Sequence, residues 1–470
     1  VRPAHRAALV RRAVVLVGGP AAPYSRSIRI ARALAAEGFA VEVAAVAARG
    51  LPDREVIDPG RPGAAGEPEP GIATRPPIEL RRYAPSGPWR LIGASDAASG
   101  ARVDSGSRTS AGGGGLLRRL ASPLLDVRRW LLWPHAVRGW WTTLDRDLVP
   151  ADLYHACGAL TIAAALAARD RHPIGPSGRP ARVIYDSVDI ATQSNTVTPM
   201  PSRVRQRIAR TEAGWAAAAD RIVTINEPFA EALTAMWRPK RPISVVPNIP
   251  EPPDPEALEA GKTLLRDAAN LPPSTRIVVF QGRTGPDLGL EAAAEAMTLV
   301  RDAALVVLGF GRGMADSRAR DRDPRYAGRH VTLDARPADE VVTWVASADV
   351  CLIPLPPVSA NSRLTTPNKF WEAVVAGTPI VVVAGLSSMA ALVREHDLGA
   401  VAASAAPADL ATAITTVLDR LAAPDGPAWR RAIAGSAEGR FGWPPAATAY
   451  RSLVRDLTEA AESDAGTGRG

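Results

Sequence analysis

An alternation of buried strand and amphipathic helix runs along this chain, breaks at a proline-dense stretch and then starts again. Two similar α/β halves joined by a hinge are the expected result. Pro247 to Pro255 holds five prolines in nine residues. Each proline lacks an amide hydrogen and fixes φ near about −65°, so the stretch continues neither a helix nor a central strand and reads as a stiff interdomain linker. Ahead of it, Ala13 to Gly19 is a continuous apolar run, as expected of a strand buried on both faces. Ile28, Ala31, Leu34 and Ala35 then recur at helical spacing, closed by Gly38, and a second strand runs from Phe39 to Val46. Further strands are expected at 153–156, 182–185, 222–225 and 243–246, with helices at 159–169, along Val204, Ile208, Thr211 and Trp215, and from Pro228. Beyond the hinge, strands at 277–280, 304–308, 331–333, 350–353, 379–383 and 400–401 alternate with helices, which implies a parallel sheet covered on both faces. Two such domains leave a cleft between the carboxyl ends of their strands, where open α/β sheets bind ligands. The expected division is 1–248, 249–435, a C-terminal helix within 436–462 and a disordered tail at 463–470. The aperiodic stretch at about 51–115, rich in Gly, Pro and Ser, is expected to be a mobile insertion.

A length of 470 residues suits two domains, and a content of 46% hydrophobic and 22% charged residues excludes wholesale disorder. Cys157 and Cys351 are the only cysteines, so neither a disulfide framework nor a multi-thiolate zinc site can be built. No apolar run approaches the roughly 18–20 residues of a membrane span, and the start lacks the charge-then-apolar order of a signal peptide. The expected location is the cytoplasm. The net charge of +8 belongs to one end: residues 1–150 carry 22 Arg against 13 acidic residues. Only Lys240, Lys262 and Lys369 are lysines, a bias that makes Arg content weak support for nucleic-acid binding, and no partner of that kind is expected.

Two stretches carry the chemistry. Strand 304–308 runs into Gly309-Phe310-Gly311-Arg312-Gly313, where glycines would let amides approach an anion. The same glycines suit any tight strand-to-helix turn, and both readings stand. More informative is Asn361 to Pro379, in which Pro367 opens a helix and Lys369 and Glu372 share its face three residues apart. A surface ion pair would also produce that spacing, but one of only three lysines sits inside it.

This block, Pro367-Asn368-Lys369-Phe-Trp-Glu372-Ala…Ala-Gly377-Thr-Pro379, resembles the donor-nucleotide helix of retaining family 4 (group 1) GT-B glycosyltransferases. Arg283 in Gln-Gly-Arg resembles that family's diphosphate-binding arginine, Gly309, Gly311 and Gly313 its glycine loop, and Val246-Pro247-Asn248 the end of its first domain. Tyr185 to Asp189 and Tyr154-His155 resemble its first-domain turns, and the final helix resembles one that crosses back onto the first domain. The resemblance implies a fold of two Rossmann-like domains facing each other across a cleft. It implies transfer of a sugar, with retention, from a nucleotide-diphosphate sugar to a glycan or lipid-linked acceptor, in envelope polysaccharide or glycolipid synthesis, with no metal or organic cofactor. His155, Asp189, Arg283 and Lys369 are the expected catalytic residues. Gly309, Gly311, Gly313, Asn361, Pro367, Asn368 and Glu372 are expected to bind the donor.

The chain also departs from the pattern. The family's turn histidine is Val188, a frequent lysine is Leu288, and the first Glu of its Glu-x7-Glu pair is Leu364. These departures leave an alternative, a silent GT-B partner protein that binds nucleotide or glycan. Asp321-Arg322-Asp323 matches a metal-binding Asp-x-Asp only superficially, because it sits in a charged loop before Pro324. At the acceptor end, Trp130, Trp133, Val137, Trp141, Leu144 and Leu148 recur at helical spacing, with Arg128, Arg129, Arg138 and Arg146 outside the stripe. The stripe in 116–148 suits either attachment to an anionic membrane face or packing into the first domain's core.

Overall fold

The computed structural model describes residues 10–21, 25–48, 50–57, 77–84, 144, 147–194, 197–198, 200–439 and 441–459. Two sheets organise the described chain. The first has eight strands in the order β3-β4-β2-β1-β5-β6-β7-β8, built from β1 (Arg12–Val17), β2 (Ala40–Val46), β3 (Arg54–Ile57), β4 (Ile78–Tyr83), β5 (Leu153–Cys157), β6 (Arg182–Asp186), β7 (Arg221–Thr224) and β8 (Ser244–Val245). Apart from the antiparallel β3–β4 pair its neighbours run parallel. The second sheet is parallel throughout, in the order β11-β10-β9-β12-β13-β14, from β9 (Arg276–Arg283), β10 (Ala303–Phe310), β11 (His330–Asp334), β12 (Val350–Ile353), β13 (Ile380–Val383) and β14 (Gly399–Ala402).

The apolar run of β1 divides between the two faces of its sheet. Val14 and Leu16 join a core with Tyr154, Tyr185 and Phe229, and Ala13, Val15 and Val17 join a second with Ile30, Leu34 and Tyr450. A period of two in a fully apolar strand thus supplies both cores, each full burial of a Val or Leu stabilising by about 1.5–3 kcal/mol. The helix Trp443–Glu459 closes the second of these cores, through Trp443, Tyr450, Val454 and Leu457. This helix therefore lies on the first domain.

Two strands fall inside the stretch expected to be irregular. β4 hides its pattern because Arg82 stands at an inward position, donating to the carbonyls of Pro20 at 2.8 Å and Pro52 at 2.6 Å and pairing with Glu55 at 2.6 Å. A buried guanidinium so satisfied is tolerated, but in sequence it erases the apolar period. β3 is an edge strand with Val56 exposed. The remainder of the expected insertion, at 58–76 and 85–115, lies outside the described residues, as does the expected tail at 463–470. In the tryptophan stripe, Leu144 and Leu148 are buried in the first domain's core. Trp130, Trp133, Val137 and Trp141, with Arg128, Arg129, Arg138 and Arg146, lie outside the described residues.

The second domain contains a helix, Gly426–Glu438, that the apolar pattern does not announce. It touches the core only through Trp429, Ile433 and Ala437, and Arg430 anchors it to the carbonyls of Ala348 and Ala346 at 2.9 and 2.8 Å.

Candidate active site

The carboxyl ends of β9 and β10 set one wall. Their register pairs Gly282 with Gly309 and Arg283 with Phe310, so the arginine and the glycine loop leave the sheet side by side. The two loops pack main chain against main chain, with the Thr284 amide donating to the Phe310 carbonyl at 2.7 Å and the Gly313 amide to the Thr284 carbonyl at 3.3 Å. A Cβ on Gly309 would lie 2.6 Å from the Thr284 methyl, and one on Gly313 would lie 2.6 Å from the Gly285 nitrogen. Gly311 has φ +104°, a conformation L side chains rarely adopt. Close approach of the loops alone thus requires these glycines, and the Gly313 amide is already taken.

Lys369 and Glu372 come from the first two turns of the helix Asn368–Val375, which follows β12. The Lys369 ammonium lies 3.7 Å from the centre of the Phe280 ring. A Cβ on Gly282 would come within 3.9 Å of that ammonium, which places Lys369 over the end of β9, beside Arg283. Gln281 underpins the helix, its amide donating to the Lys369 carbonyl at 3.1 Å and reaching a Glu372 oxygen at 3.5 Å. Burial pulls the Lys369 ammonium down to about 8, and the nearby Arg283 pushes in the same direction against Cys351 and Glu372. Burial raises the Glu372 carboxyl above its ordinary value, opposed by Arg29, Gln281 and Lys369. Arg283 is half-exposed, held by Asp287 at 3.1 Å. Two cations thus converge at strand ends beside one carboxylate, an arrangement that suits a polyanion with a polar arm.

The first domain supplies the opposite wall. Arg29, from the helix Ser25–Ala36, holds the Asn248 oxygen with its Nε at 3.2 Å and a terminal nitrogen at 2.6 Å, and Asn248 in turn bonds Asn368. This chain links first domain, hinge and the start of the Lys369 helix, leaving Pro367 as the residue that caps that helix in extended conformation. Burial pulls the Arg29 guanidinium down to about 10, with Glu372 across the cleft opposing the change. Asp189 extends an open side chain from the loop after β6. The protein around it removes enough water to push its carboxyl up to about 6.

Two of the expected site residues stand elsewhere. Asn361, expected at the donor, has its side-chain amide on the main chain of Ile190 in the first domain, accepting from N–H at 2.8 Å and donating to C=O at 3.0 Å. His155, expected to face the acceptor, is fully buried inside the first domain. Its Nε2 lies 3.2 Å from Asp186 Oδ2 and its Nδ1 2.9 Å from the Tyr450 hydroxyl. Asp186 also takes two bonds from Arg26, at 2.7 and 2.8 Å, and Arg26 reaches the Val246 carbonyl at 2.7 Å. Burial alone would raise the Asp186 carboxyl, but Arg26 and His155 hold it down to about 2. A strand-end histidine followed by a turn reads from sequence as a cleft residue; the helix at the far end of the chain covers it.

His155, Cys157 and Asp186 bring potential ligand atoms within 4.8 Å of one another. They do not fit a cation: Arg26 already lies against both Asp186 oxygens, Tyr450 holds His155, and burial pushes the Cys157 thiol far up. In the Asp-x-Asp stretch, Asp321 is engaged by His330 at 2.7 Å and by Thr332, and Asp323 by Arg325 at 2.7 Å. Three residues of the assembly were not expected: Arg26, Arg29 and Gln281. Gln281 was within reach, being the residue before the recognised Gly-Arg. The others need tertiary contacts to gain meaning.

Residues 275–420 match the family described as Glycosyl transferases group 1. A curated relative, D-inositol 3-phosphate glycosyltransferase 2 of Catenulispora acidiphila, is 30% identical over 260 residues, and the match spans 51% of this chain and 58% of that protein. Among solved structures, sucrose-phosphate synthase from Thermosynechococcus elongatus aligns with TM-score 0.58 and 18% identity, over 96% of this chain and 100% of that one. HepE of Anabaena, solved with UDP and glucose, aligns with TM-score 0.55 and 14% identity over 95% of this chain and 99% of its own. At those identities the structures speak to fold, and the fold they share with this chain is the one its two α/β sheets display. Residues 275–420 thus match the Glycosyl transferases group 1 family, and the chain as a whole has the GT-B fold.

Proposed function

We propose that this protein transfers a sugar from a nucleotide-diphosphate sugar to a glycan or lipid-linked acceptor, with retention and without a metal, in envelope polysaccharide or glycolipid synthesis. The observation that carries the reading is the convergence of Arg283, Lys369 and Glu372 at the carboxyl ends of the second sheet. In this reading the diphosphate lies against Arg283 and Lys369, and Glu372 accepts from the ribose hydroxyls. The acceptor oxygen bonds to the anomeric carbon as the bond to the diphosphate breaks, and the acceptor proton passes to the leaving phosphate oxygen. Nucleoside diphosphate leaves. Fixed cations stabilise the charge that develops on it, so the protein supplies what a metal would otherwise provide. The HepE neighbour was also solved with UDP-glucose, which supports a nucleotide-sugar donor. The test is a panel of UDP-, GDP- and ADP-sugars assayed for slow hydrolysis and for transfer in acceptor extracts. Nucleotide binding without turnover across the panel would favour the silent reading, for which Val188 and Leu364 speak, both packed against the first domain's core.

Glu372→Ala is expected to weaken nucleotide binding at least tenfold with the fold intact, since two ribose hydroxyls lose a charged acceptor worth about 1.5–3 kcal/mol per bond. Calorimetric titration measures it, and an unchanged affinity removes the ribose role. We further propose that the 116–148 stripe, seated in the core at Leu144 and Leu148, holds the first domain at an anionic membrane face through its other residues, each arginine contributing about 1 kcal/mol that salt screens. Among the described residues no helix is long and apolar enough to cross a membrane. Co-sedimentation with anionic vesicles at low salt, reduced by high salt and by replacing Arg128, Arg129 and Arg138 with Gln, is the expected result. Protein left in the supernatant would assign the stripe to the core.

A further inference from the structure

The residues between β12 and the Lys369 helix belong in sequence to the second domain, where the Ser387 hydroxyl donates to the Arg363 carbonyl at 3.0 Å, yet they also reach the first. The short helix Ala360–Leu364 is closed by a reciprocal Ser359–Ser362 cap. Ala360 and Leu364 pack on the first domain's core. The Asn226 amide donates to the Leu364 carbonyl at 2.8 Å and to Thr366 Oγ1 at 3.2 Å, while its oxygen caps the first-domain helix Glu227–Trp237 by accepting from the Phe229 amide at 2.9 Å. At the centre Asn361 bonds both main-chain groups of Ile190. Only a carboxamide side chain presents a donor and an acceptor together in the spacing of one residue's N–H and C=O, as a neighbouring strand would. Ile190 is 2% exposed, so its side chain is fixed from below while Asn361 fixes its backbone from above. The residue immediately before it is Asp189, whose side chain is exposed.

We infer that Asn361 is a positioning residue: through Ile190 it sets where the Asp189 carboxylate stands relative to the donor-binding helix that begins seven residues later in its own segment. The inference rests on the glycosyltransferase reading for its effect on rate, and on the two Asn361 bonds alone for its effect on structure. A loop held by both domains has one arrangement when they are seated together and loses one anchor when they part. Asp189 therefore takes up its place only as the donor domain closes.

The test uses the full chain and compares Asn361→Ala, Asp189→Ala and the double variant. Amide exchange of the peptide covering 187–193 should quicken at least tenfold in Asn361→Ala. Affinity for UDP, the probe used in calorimetry, should stay within twofold. Turnover of the donor active in the panel should fall 10- to 50-fold in kcat with donor KM unchanged. The double variant should be no slower than Asp189→Ala alone, because a residue acting through another adds nothing once that other is gone. Multiplying effects, or a loss expressed in donor KM, would overturn the inference. Should the wild type turn over no donor, the functional reading fails by itself, and the Asn361 contact is judged by exchange alone: an unchanged rate at 187–193 overturns it.

Discussion

Replacing Lys369 with methionine is expected to lower turnover by two to three orders of magnitude while the fold holds. The ammonium rests on the Phe280 ring beside Arg283, and methionine keeps the apolar stem while deleting the charge. Losing one fixed group that stabilises developing negative charge costs about 3–4 kcal/mol in comparable sites. The wild type also carries a pH signature. Because burial draws Lys369 down to about 8, the cation is lost as pH rises through that value, so kcat/KM should decline there rather than near the ordinary 10.5. Stability moves the other way, since an unfolded chain that binds the proton more tightly than the folded one makes folding more favourable as pH rises from 8 toward 10.5. Lys369→Arg should retain part of the rate and carry the alkaline limb upward. A methionine variant with wild-type kcat, measured with saturating donor, would dismiss the lysine from the chemistry.

The second large effect concerns stability. Asp186→Asn leaves the Arg26 guanidinium, 12% exposed, without its counter-charge, and breaking a buried pair from one side costs about 3–5 kcal/mol. The urea midpoint of the first domain should fall accordingly, and the paired replacement Arg26→Met with Asp186→Leu should recover much of the loss because no charge is then stranded. The sign of the acid response follows from the carboxyl being held below its ordinary value. Its contribution is present above pH 3.8 and is lost as pH falls through about 2. A midpoint unchanged by Asp186→Asn would show that the pair contributes nothing.

The two-domain architecture was legible because parallel strands buried on both faces write continuous apolar runs, and because prolines mark the hinge. β4 was not, since its inward Arg82 depends on carbonyls from Pro20 and Pro52 that no local pattern announces. The same division holds in the site. Arg283, Lys369 and Glu372 lie in short motifs next to strand ends, so their proximity could be anticipated from local pattern. His155 and Asn361 carry the right chemistry in the right segments, but their partners, Tyr450 and Ile190, are 295 and 171 residues away. A polar side chain's role depends on what faces it, and contacts at that range are invisible to periodicity.

The returning C-terminal helix has a consequence for the order in which the molecule is made. Tyr450 closes over His155, and Trp443, Val454 and Leu457 cover β1, β2 and β4 of the first domain. Emerging from the ribosome, the first domain must wait, one face of its core open to water, until the entire second domain has been synthesised. A fragment cut at the hinge would expose the apolar side chains of that face which Trp443, Tyr450, Val454 and Leu457 cover. A truncation of the Trp443–Glu459 helix acts on the first domain, although the second separates the two in sequence.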